Sequence, residues 1–430
     1  MKKEISNWGN YPTVKTSVTA LEFEQDVRQF VGESASVLAR GNGRCYGDAA
    51  LSDNVFSTLK LDKITTFDVE TGLICCQSGV LLSQIIELVL PKGFFLPVTP
   101  GTKFITIGGA IAADVHGKNH HSEGCFSDHV LWFDLIVGNG EMVRCSKSEN
   151  TDLFWQTVGG MGLTGVIFQA CFQLKKVETA YIRQEAIQAK NLTEVMQIFE
   201  SSSDWTYTVS WIDCLKKGRN LGRSIMLRGE HATVDELPQK LQANPLIVKP
   251  KLKLTVPFYL PKFTINPLTV KAFNFLYYHK EIFKKSHSII DYDSYFYPLD
   301  GILNWNRIYG KSGFVQYQFV LPLKHSEQGL VEILETIQQQ NQGSFLTVLK
   351  LFGKANPLAI QSFPMKGYTL AIDFKVNDGL PKLIQTFDEI IGKYNGRIYR
   401  AKDAMSKKEL MPLTITKSKF QSTQSKRIDY

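Results

Sequence analysis

The chain is 430 residues long, with 43% hydrophobic and 21% charged residues, which excludes a disordered polypeptide and allows one large or two ordinary domains. Its 49 basic and 41 acidic residues leave a net charge of +8. A mean hydropathy of −0.11, with no apolar run of the ~18 residues a spanning helix needs, excludes a polytopic membrane protein.

The opening MKKEISNWGNYP has lysines but no apolar stretch behind them, so no secretory leader is expected. Val37-Leu38-Ala39 predicts a short strand running into a glycine loop at 41–47. The stripe Leu81, Leu82, Ile85, Ile86 and Val89 predicts a helix stopped by Pro91 and Gly93. Residues 131–137 predict an apolar strand, and Asn139-Gly140 a hairpin turn into Met142-Val143-Arg144. A helix end is expected over 152–158. Val166, Phe168, Ala170, Phe172 and Leu174, alternating with Gln169, Cys171 and Gln173, then predict a half-buried strand. The glycine-rich character stops at 177–179, where a first domain, 1–179, is expected to end. A helix over 192–199 and strands over 314–320, 345–352 and 368–374 follow. The expected fold class is α+β in two domains, the second covering 180–397 and residues 398–430 completing the first.

Seven scattered cysteines (Cys45, Cys75, Cys76, Cys125, Cys145, Cys171, Cys214) contain no C-x-x-C. That pattern suits free thiols in a reducing compartment, and a cytoplasmic location is expected. The positive charge is concentrated. Residues 248–286 hold Lys249, Lys251, Lys253, Lys262, Lys271, Lys280, Lys284 and Lys285 against Glu281 alone, interleaved with aromatics such as Phe258, Tyr259, Phe273 and Phe283 and broken by Pro250, Pro257, Pro261 and Pro267. Lys417, Lys419, Lys426 and Arg427 make the tail basic too. Lysines among aromatics suit an anionic membrane surface, or else a solvated loop; nucleic acid is not expected as a partner.

Gly160-Met161-Gly162-Leu163-Thr164-Gly165 matches G-x-G-x-x-G, but its order is helix, glycines, strand. The dinucleotide fingerprint needs the reverse, so a Rossmann unit is not expected. Three stretches carry more together: ARGNGRCYGD (39–48), PGTKFITIGGAIAADVHG (100–117) and VGGMGLTG (158–165). Glycine lets backbone N–H groups approach an anion, and three such loops could enclose one long ligand with a central pyrophosphate. Taken singly, each also reads as an ordinary turn of a β-rich domain.

These stretches, with DLFWQTVGG (152–160), resemble the FAD-binding domain of the vanillyl-alcohol-oxidase type. AIAADVHGKNHHSEGCF (110–126), VQYQFV (315–320), LKLFG (349–353) and GRIYRAKD (396–403) further resemble the decaprenylphosphoryl-β-D-ribose oxidases within it, over about 8–411. The resemblance implies a two-domain flavoprotein whose substrate domain carries an antiparallel sheet. It implies oxidation of the ribose 2′-hydroxyl of a polyprenyl-phosphate-linked pentose, with an NADH-dependent short-chain reductase acting on the keto product and a peripheral place at the membrane. It assigns FAD contacts to Ala39, Arg40, Gly41, Asn42, Gly43, Arg44, Cys45, Tyr46 and Gly47, to Gly101, Thr106, Ile107, Gly108, Gly109, Ala113, Asp114, Val115 and His116, and to Val166 and Tyr399. The first loop has Arg44-Cys45-Tyr46 where relatives with a covalent link have a histidine, so FAD is expected to be non-covalent.

The same resemblance makes Lys402, Tyr46 and His116 the catalytic candidates and Lys118, Gln316, Gln318, Lys350 and Lys402 the substrate contacts. Lys402 works as a base only if its environment lowers its affinity for a proton, and neighbouring Asp403 could instead hold it charged. By spacing alone Tyr46 reads as a packed aromatic. His116 and His120, at i and i+4, would suit a metal, but Gly117 weakens the helix and no acidic or cysteine ligand is near; no metal is expected. Gln316 and Gln318 share one face of a strand, opposite Val315, Tyr317 and Phe319, and suit sugar hydroxyls or an exposed face. Lys350, the lone charge in FLTVLKLF, needs an anion such as a substrate phosphate, unless it guards an edge strand. Ala371 and Thr369 stand where well-known members carry a cysteine and an asparagine, so electrophiles aimed at that cysteine are expected to fail. Relatives also continue past the part matching 427–429 with a short helical segment, whereas this sequence stops at Tyr430. The rival readings are an alditol or sugar-lactone oxidase and a non-catalytic lipid-phosphate binding protein.

Overall fold

The structure, a computed structural model, describes residues 2–249, 251–261, 263–280, 287–340, 342–411, 414–415 and 418–429. β1 (Lys3–Ser6), β2 (Thr13–Thr19), β3 (Leu38–Arg40) and β4 (Asn54–Ser57) form a four-stranded sheet in the order β1-β2-β4-β3. Helix α1 (Glu24–Glu33) connects β2 to β3 and sends Val27 and Val31 into the core. A five-stranded antiparallel sheet follows, from β5 (Ile64–Asp68), β6 (Leu73–Gln77), β7 (Val130–Ile136), β8 (Met142–Ser146) and β9 (Val166–Gln173), in the order β5-β6-β9-β7-β8. Helices α2 (Leu82–Val89), α3 (Ile107–Ala112) and α4 (Thr151–Thr157) connect its strands.

From residue 181 the chain builds an eight-stranded antiparallel sheet. Its strands are β10 (Tyr181–Ala189), β11 (Tyr207–Ile212), β12 (Ser224–His231), β13 (His287–Asp291), β14 (Phe314–Pro322), β15 (Thr347–Phe352), β16 (Gly367–Lys375) and β17 (Arg397–Ile398). The order across the sheet is β13-β10-β12-β11-β15-β16-β14-β17. Period-2 alternation gives this sheet two unlike faces. Tyr317, Phe319, Leu321, Leu370 and Ile372 join a core with Leu330, Ile333, Leu334 and Ile337, and with Leu383, Ile384, Phe387 and Ile391. Those last two sets recur at helical spacing on α7 (Ser326–Gln339) and α8 (Leu380–Lys393), after α5 (Leu192–Glu200) and α6 (Pro267–Lys280). Each buried Leu, Ile or Phe contributes roughly 1.5–3 kcal/mol. The other face, with Gln316, Gln318, Lys350 and Ala371, is turned to the site.

Several expectations need correction. β9 is not half-buried: Val166 and Phe168 pack into one core and Ile167, Ala170 and Phe172 into another, so six of its eight residues are buried. The seven cysteines are not all free. Register sets Cys171 directly opposite Cys75 across β9 and β6, with Cα atoms 4.0 Å apart, and the two form a disulfide. The cysteine argument for a reducing compartment therefore no longer holds. Residues 248–286 are not simply a loop, because they contain α6. Asn266 caps it, its side-chain oxygen accepting from the amides of Leu268 (2.8 Å) and Thr269 (3.1 Å), and Pro267 opens it. Pro250, Lys262, Glu281, Phe283, Lys284, Lys285 and Lys417 lie outside the described residues. Nor does the tail form an open basic patch. Lys419 donates to the carbonyls of Val31, Gly32 and Gly138, while Lys426 pairs with Asp53 and Arg427 with Asp48. Among the described residues, no helix is long and apolar enough to cross a membrane.

Candidate active site

Between the glycine loops and the Gln316–Gln318 face lies a cavity of about 1560 Å³. Ordinary ligand pockets hold ~300–1,000 Å³, so this one has room for a large cofactor with a substrate beside it. Ala39, Gly41, Asn42, Gly43, Arg44, Cys45 and Tyr46 line it from the first loop, and Gly101, Thr106, Gly108, Gly109, Ala113, Val115 and His116 from the second. Tyr399, Lys118, Gln316, Gln318, Lys350 and Lys402 complete the expected set.

Five expected FAD contacts stand behind the wall instead. Arg40 turns away to the carbonyls of Ser6 (2.8 Å) and Ala50 (3.0 Å), holding the first loop to its neighbours. Gly47 packs on the Lys402 loop: a Cβ there would lie 1.6 Å from the Asp403 carbonyl oxygen, an approach only glycine permits. Ile107 and Val166 are core residues, fully buried. Asp114 accepts from the Ser362 hydroxyl (2.5 Å) and the Ser127 amide (3.2 Å), and burial pushes its carboxyl up to about 6.

The wall fits a long anionic cofactor. No described oxygen accepts from the backbone amides of Gly41, Asn42, Gly43, Arg44 or Cys45, a run of free donors of the kind that cradles phosphates. A Cβ on Gly101 would meet nothing within 4 Å, so this backbone faces open space. Ser78 Oγ and His116 Nδ1 are buried with no partner among the described residues, and both residues line the cavity.

His116 is fixed by β14. The Gln318 amide approaches its Nε2 at 3.1 Å, which makes Nε2 the acceptor and leaves the proton on Nδ1. Burial, with Lys350 and His120 nearby, pushes its proton affinity well down, so the ring is neutral. Phe352, Phe363 and Tyr399 surround it, with centroids 4.8, 5.7 and 5.1 Å away.

Lys402 sits on a tight turn in which the amides of Lys402 and Asp403 both donate to the Tyr399 carbonyl, at 3.0 and 3.2 Å. The Ala401 carbonyl ties that turn to the first loop by accepting from the Tyr46 amide (3.1 Å), and Lys402 Nζ lies 3.6 Å from the Tyr46 ring centroid. Asp403 does not hold the ammonium, because its carboxylate is already engaged. It pairs with Arg427 (2.5 Å) and accepts from Gln424 (3.0 Å) and from the amides of Met405 and Ser406. Gln424 and Arg427 belong to α9 (Thr423–Arg427), so the tail helix keeps the neighbouring acid away from the base. Burial drives the Lys402 amine down to about 7, with Asp373 opposing the shift and Lys350 adding to it.

Asp373 is the residue that the sequence reading missed. It pairs with Gln316 across β16 and β14, accepting from Gln316 Nε2 at 2.6 Å and from the Tyr309 hydroxyl at 3.1 Å. Burial pushes its carboxyl up to about 7. Lys118 donates to the Tyr295 carbonyl, lies 4.1 Å from that residue's ring centroid, and is lowered by burial to about 7. Lys350, lowered to about 8, has no hydrogen-bond or ion-pair partner among the described residues. Its strand β15 runs between β11 and β16, so it does not guard an edge. An unpartnered buried cation is costly unless an anion joins it.

Comparison with known proteins agrees with this geometry. Residues 19–146 match the model of an FAD binding domain. The chain is 36% identical over 417 residues to decaprenylphosphoryl-beta-D-ribose oxidase of Mycolicibacterium smegmatis, covering 95% of this chain and 90% of that one. The chain belongs to the decaprenylphosphoryl-beta-D-ribose oxidase family. It is also 30% identical over 341 residues to an uncharacterized Streptomyces coelicolor protein encoded in the mprA 5′ region, covering 77% of this chain and 91% of that one. D-lactate dehydrogenase of Anaerostipes hadrus shares 30% identity over 118 residues, 26% of this chain and 25% of that one. The family is that of FAD-dependent oxidoreductases of the vanillyl-alcohol-oxidase type, and the α+β architecture described above is consistent with it.

Proposed function

We propose that the chain oxidises the 2′-hydroxyl of a polyprenylphosphoryl-β-D-ribose to the 2′-ketone, with Lys402 as the base. The observation that supports this most is the placement of a neutralisable amine, two cavity-lining amides and a cation with no partner among the described residues in the cavity that the glycine loops line. Bound FAD, held by the first two glycine loops, supplies the acceptor for the hydride that leaves the sugar carbon. Lys402, neutral in part at pH 7, takes the hydroxyl proton at Nζ, and the Tyr46 ring beneath favours the ammonium that forms. Gln316, steadied by Asp373, and Gln318, steadied by His116 and Thr369, orient the hydroxyls. Lys350 and Lys118 take the phosphate. In this reading residues 1–179 with 398–430 hold the cofactor and 180–397 hold the substrate, and FAD is non-covalent. A separate NADH-dependent reductase acts on the ketone.

Peripheral attachment at a membrane belongs to the same reading. Leu252 (99% exposed), Phe263 (77%), Leu268 (76%) and Leu276 (67%) lie among Lys249, Lys253 and Lys271, an apolar and basic surface of the kind that meets anionic lipid. Replacing those three lysines should weaken sedimentation with anionic liposomes and leave flavin content unchanged; unchanged sedimentation would remove the membrane from the account. The reaction itself is tested by anaerobic loss of the flavin's yellow absorbance. Polyprenylphosphoryl-ribose should bleach it and free alditols should not.

A further inference from the structure

The site face of the eight-stranded sheet does not stop at the lysines. Lys350 is two residues from Val348 on β15, Val348 pairs with Trp211 on β11, and Trp211 pairs with Ile225 on β12, where Leu227 is the next residue on that face. All of them line the same cavity. Two interstrand steps of ~4.8 Å give this apolar floor a width of ~10 Å beyond Lys350. Its roof is α6, whose Phe273 and Tyr277 also line the cavity. The Tyr277 ring lies 4.7 Å from Trp211 and 5.7 Å from Phe273. The outer side of α6 is apolar as well, with Leu268, Phe275 and Leu276 exposed. A surface helix in water ordinarily keeps its apolar residues to one stripe, so an apolar second face needs a second apolar environment.

We propose that the space between α6 and the β15-β11-β12 face is a binding site for the first isoprene units of the substrate's prenyl chain. The inference rests on the polyprenylphosphoryl-ribose reading above. What carries it is the order of chemistry along one sheet face: amides at Gln316 and Gln318, a cation at Lys350, then Val348, Trp211 and Leu227. The substrate has the same order of sugar, phosphate and hydrocarbon. The chain enters beneath α6 from an apolar phase, and the phosphate stops at Lys350.

The test uses the holoenzyme and two substrates that share one phosphoribose, farnesylphosphoryl-β-D-ribose and methylphosphoryl-β-D-ribose, in anaerobic flavin reduction. Several CH₂ groups at ~0.8 kcal/mol each predict that wild type prefers the farnesyl compound by ~100-fold or more in half-saturating concentration. Limiting rates should be similar, because binding far from the reacting carbon is equal in ground and transition states. Leu227→Trp fills the floor and Phe273→Ser opens the roof; each should cut the preference below ~10-fold through the farnesyl compound alone. If Leu227→Trp purifies without flavin, Phe273→Ser, at a partly exposed helix position, decides by itself. A wild type with no preference, or variants that keep it, overturns the channel and leaves the oxidase reading standing. No reduction by either compound overturns the oxidase reading, and the channel with it.

Discussion

Replacing Lys402 with methionine removes the amine and keeps most of the side chain's length in its place over Tyr46. The wild-type amine, lowered to about 7, is about one-tenth neutral at pH 6 and about nine-tenths neutral at pH 8. A base must be neutral to take a proton, so the rate of flavin reduction should rise roughly tenfold over that interval and then level off. At the ordinary lysine value of 10.5 the rate would still be climbing roughly tenfold per pH unit through pH 9. Lys402→Met should keep bound flavin, lose roughly 10²- to 10⁴-fold in reduction rate, and lose the rise with pH. Asp373 opposes the lowering, so Asp373→Asn should move the rise to lower pH, because without its charge the ammonium gives up its proton more readily. The assay is anaerobic stopped-flow flavin reduction at saturating substrate across pH 6 to 9. A wild-type rate that climbs through pH 9, or a methionine variant within about threefold of wild type, would refute Lys402 as the base.

Lys350→Met removes the cation from the phosphate and one of the charges that lower Lys402, so the rise of rate with pH should move to higher pH, and on the plateau above it half-saturation by the phosphoryl substrate should rise by at least ~30-fold with the limiting rate nearly unchanged; equal steady-state constants would remove Lys350 from the phosphate site. Ala371 lines the cavity opposite Gln318, so Ala371→Cys should gain one adduct with a cysteine-directed electrophile, by intact mass, that wild type lacks. Arg427→Ala leaves Asp48 and Asp403 buried without their cation and should cost about 3–5 kcal/mol in unfolding free energy at pH 7. Burial raises Asp48 above the usual carboxylate range, and an uncompensated carboxyl sheds its charge by taking a proton, so that loss should shrink as pH falls. A melting temperature unchanged at pH 7 would contradict it.

The parts of the site legible in the sequence are those where one local pattern carries the chemistry. The glycine runs announce close backbone approach, and Gln316-Tyr317-Gln318 announces two amides on one strand face. Residues that act through register stayed hidden. Asp373 is one acid in an apolar run, and only the β14–β16 pairing shows that its carboxyl holds Gln316. Cys75 and Cys171 are 96 residues apart, so nothing local marks them as partners across β6 and β9. Arg427 read as part of a basic tail, yet it closes a buried pair of acids. In β9, glutamines at alternate positions look like a wet face in the sequence, whereas Gln169 donates to the Asp134 carboxylate (2.7 Å). Asn266-Pro267 is a local cap signal for α6, set within a run of lysines and aromatics whose charge dominates the pattern.

The central claim is that this cavity oxidises a phosphoryl-linked ribose at its 2′-carbon with Lys402 as base. A single anaerobic turnover with a polyprenylphosphoryl-β-D-ribose, followed by mass analysis of the sugar, tests it most directly. The account predicts one flavin reduced per sugar and a product two hydrogens lighter at the 2′-position. A flavin that stays oxidised, or a product oxidised at another carbon, would contradict it.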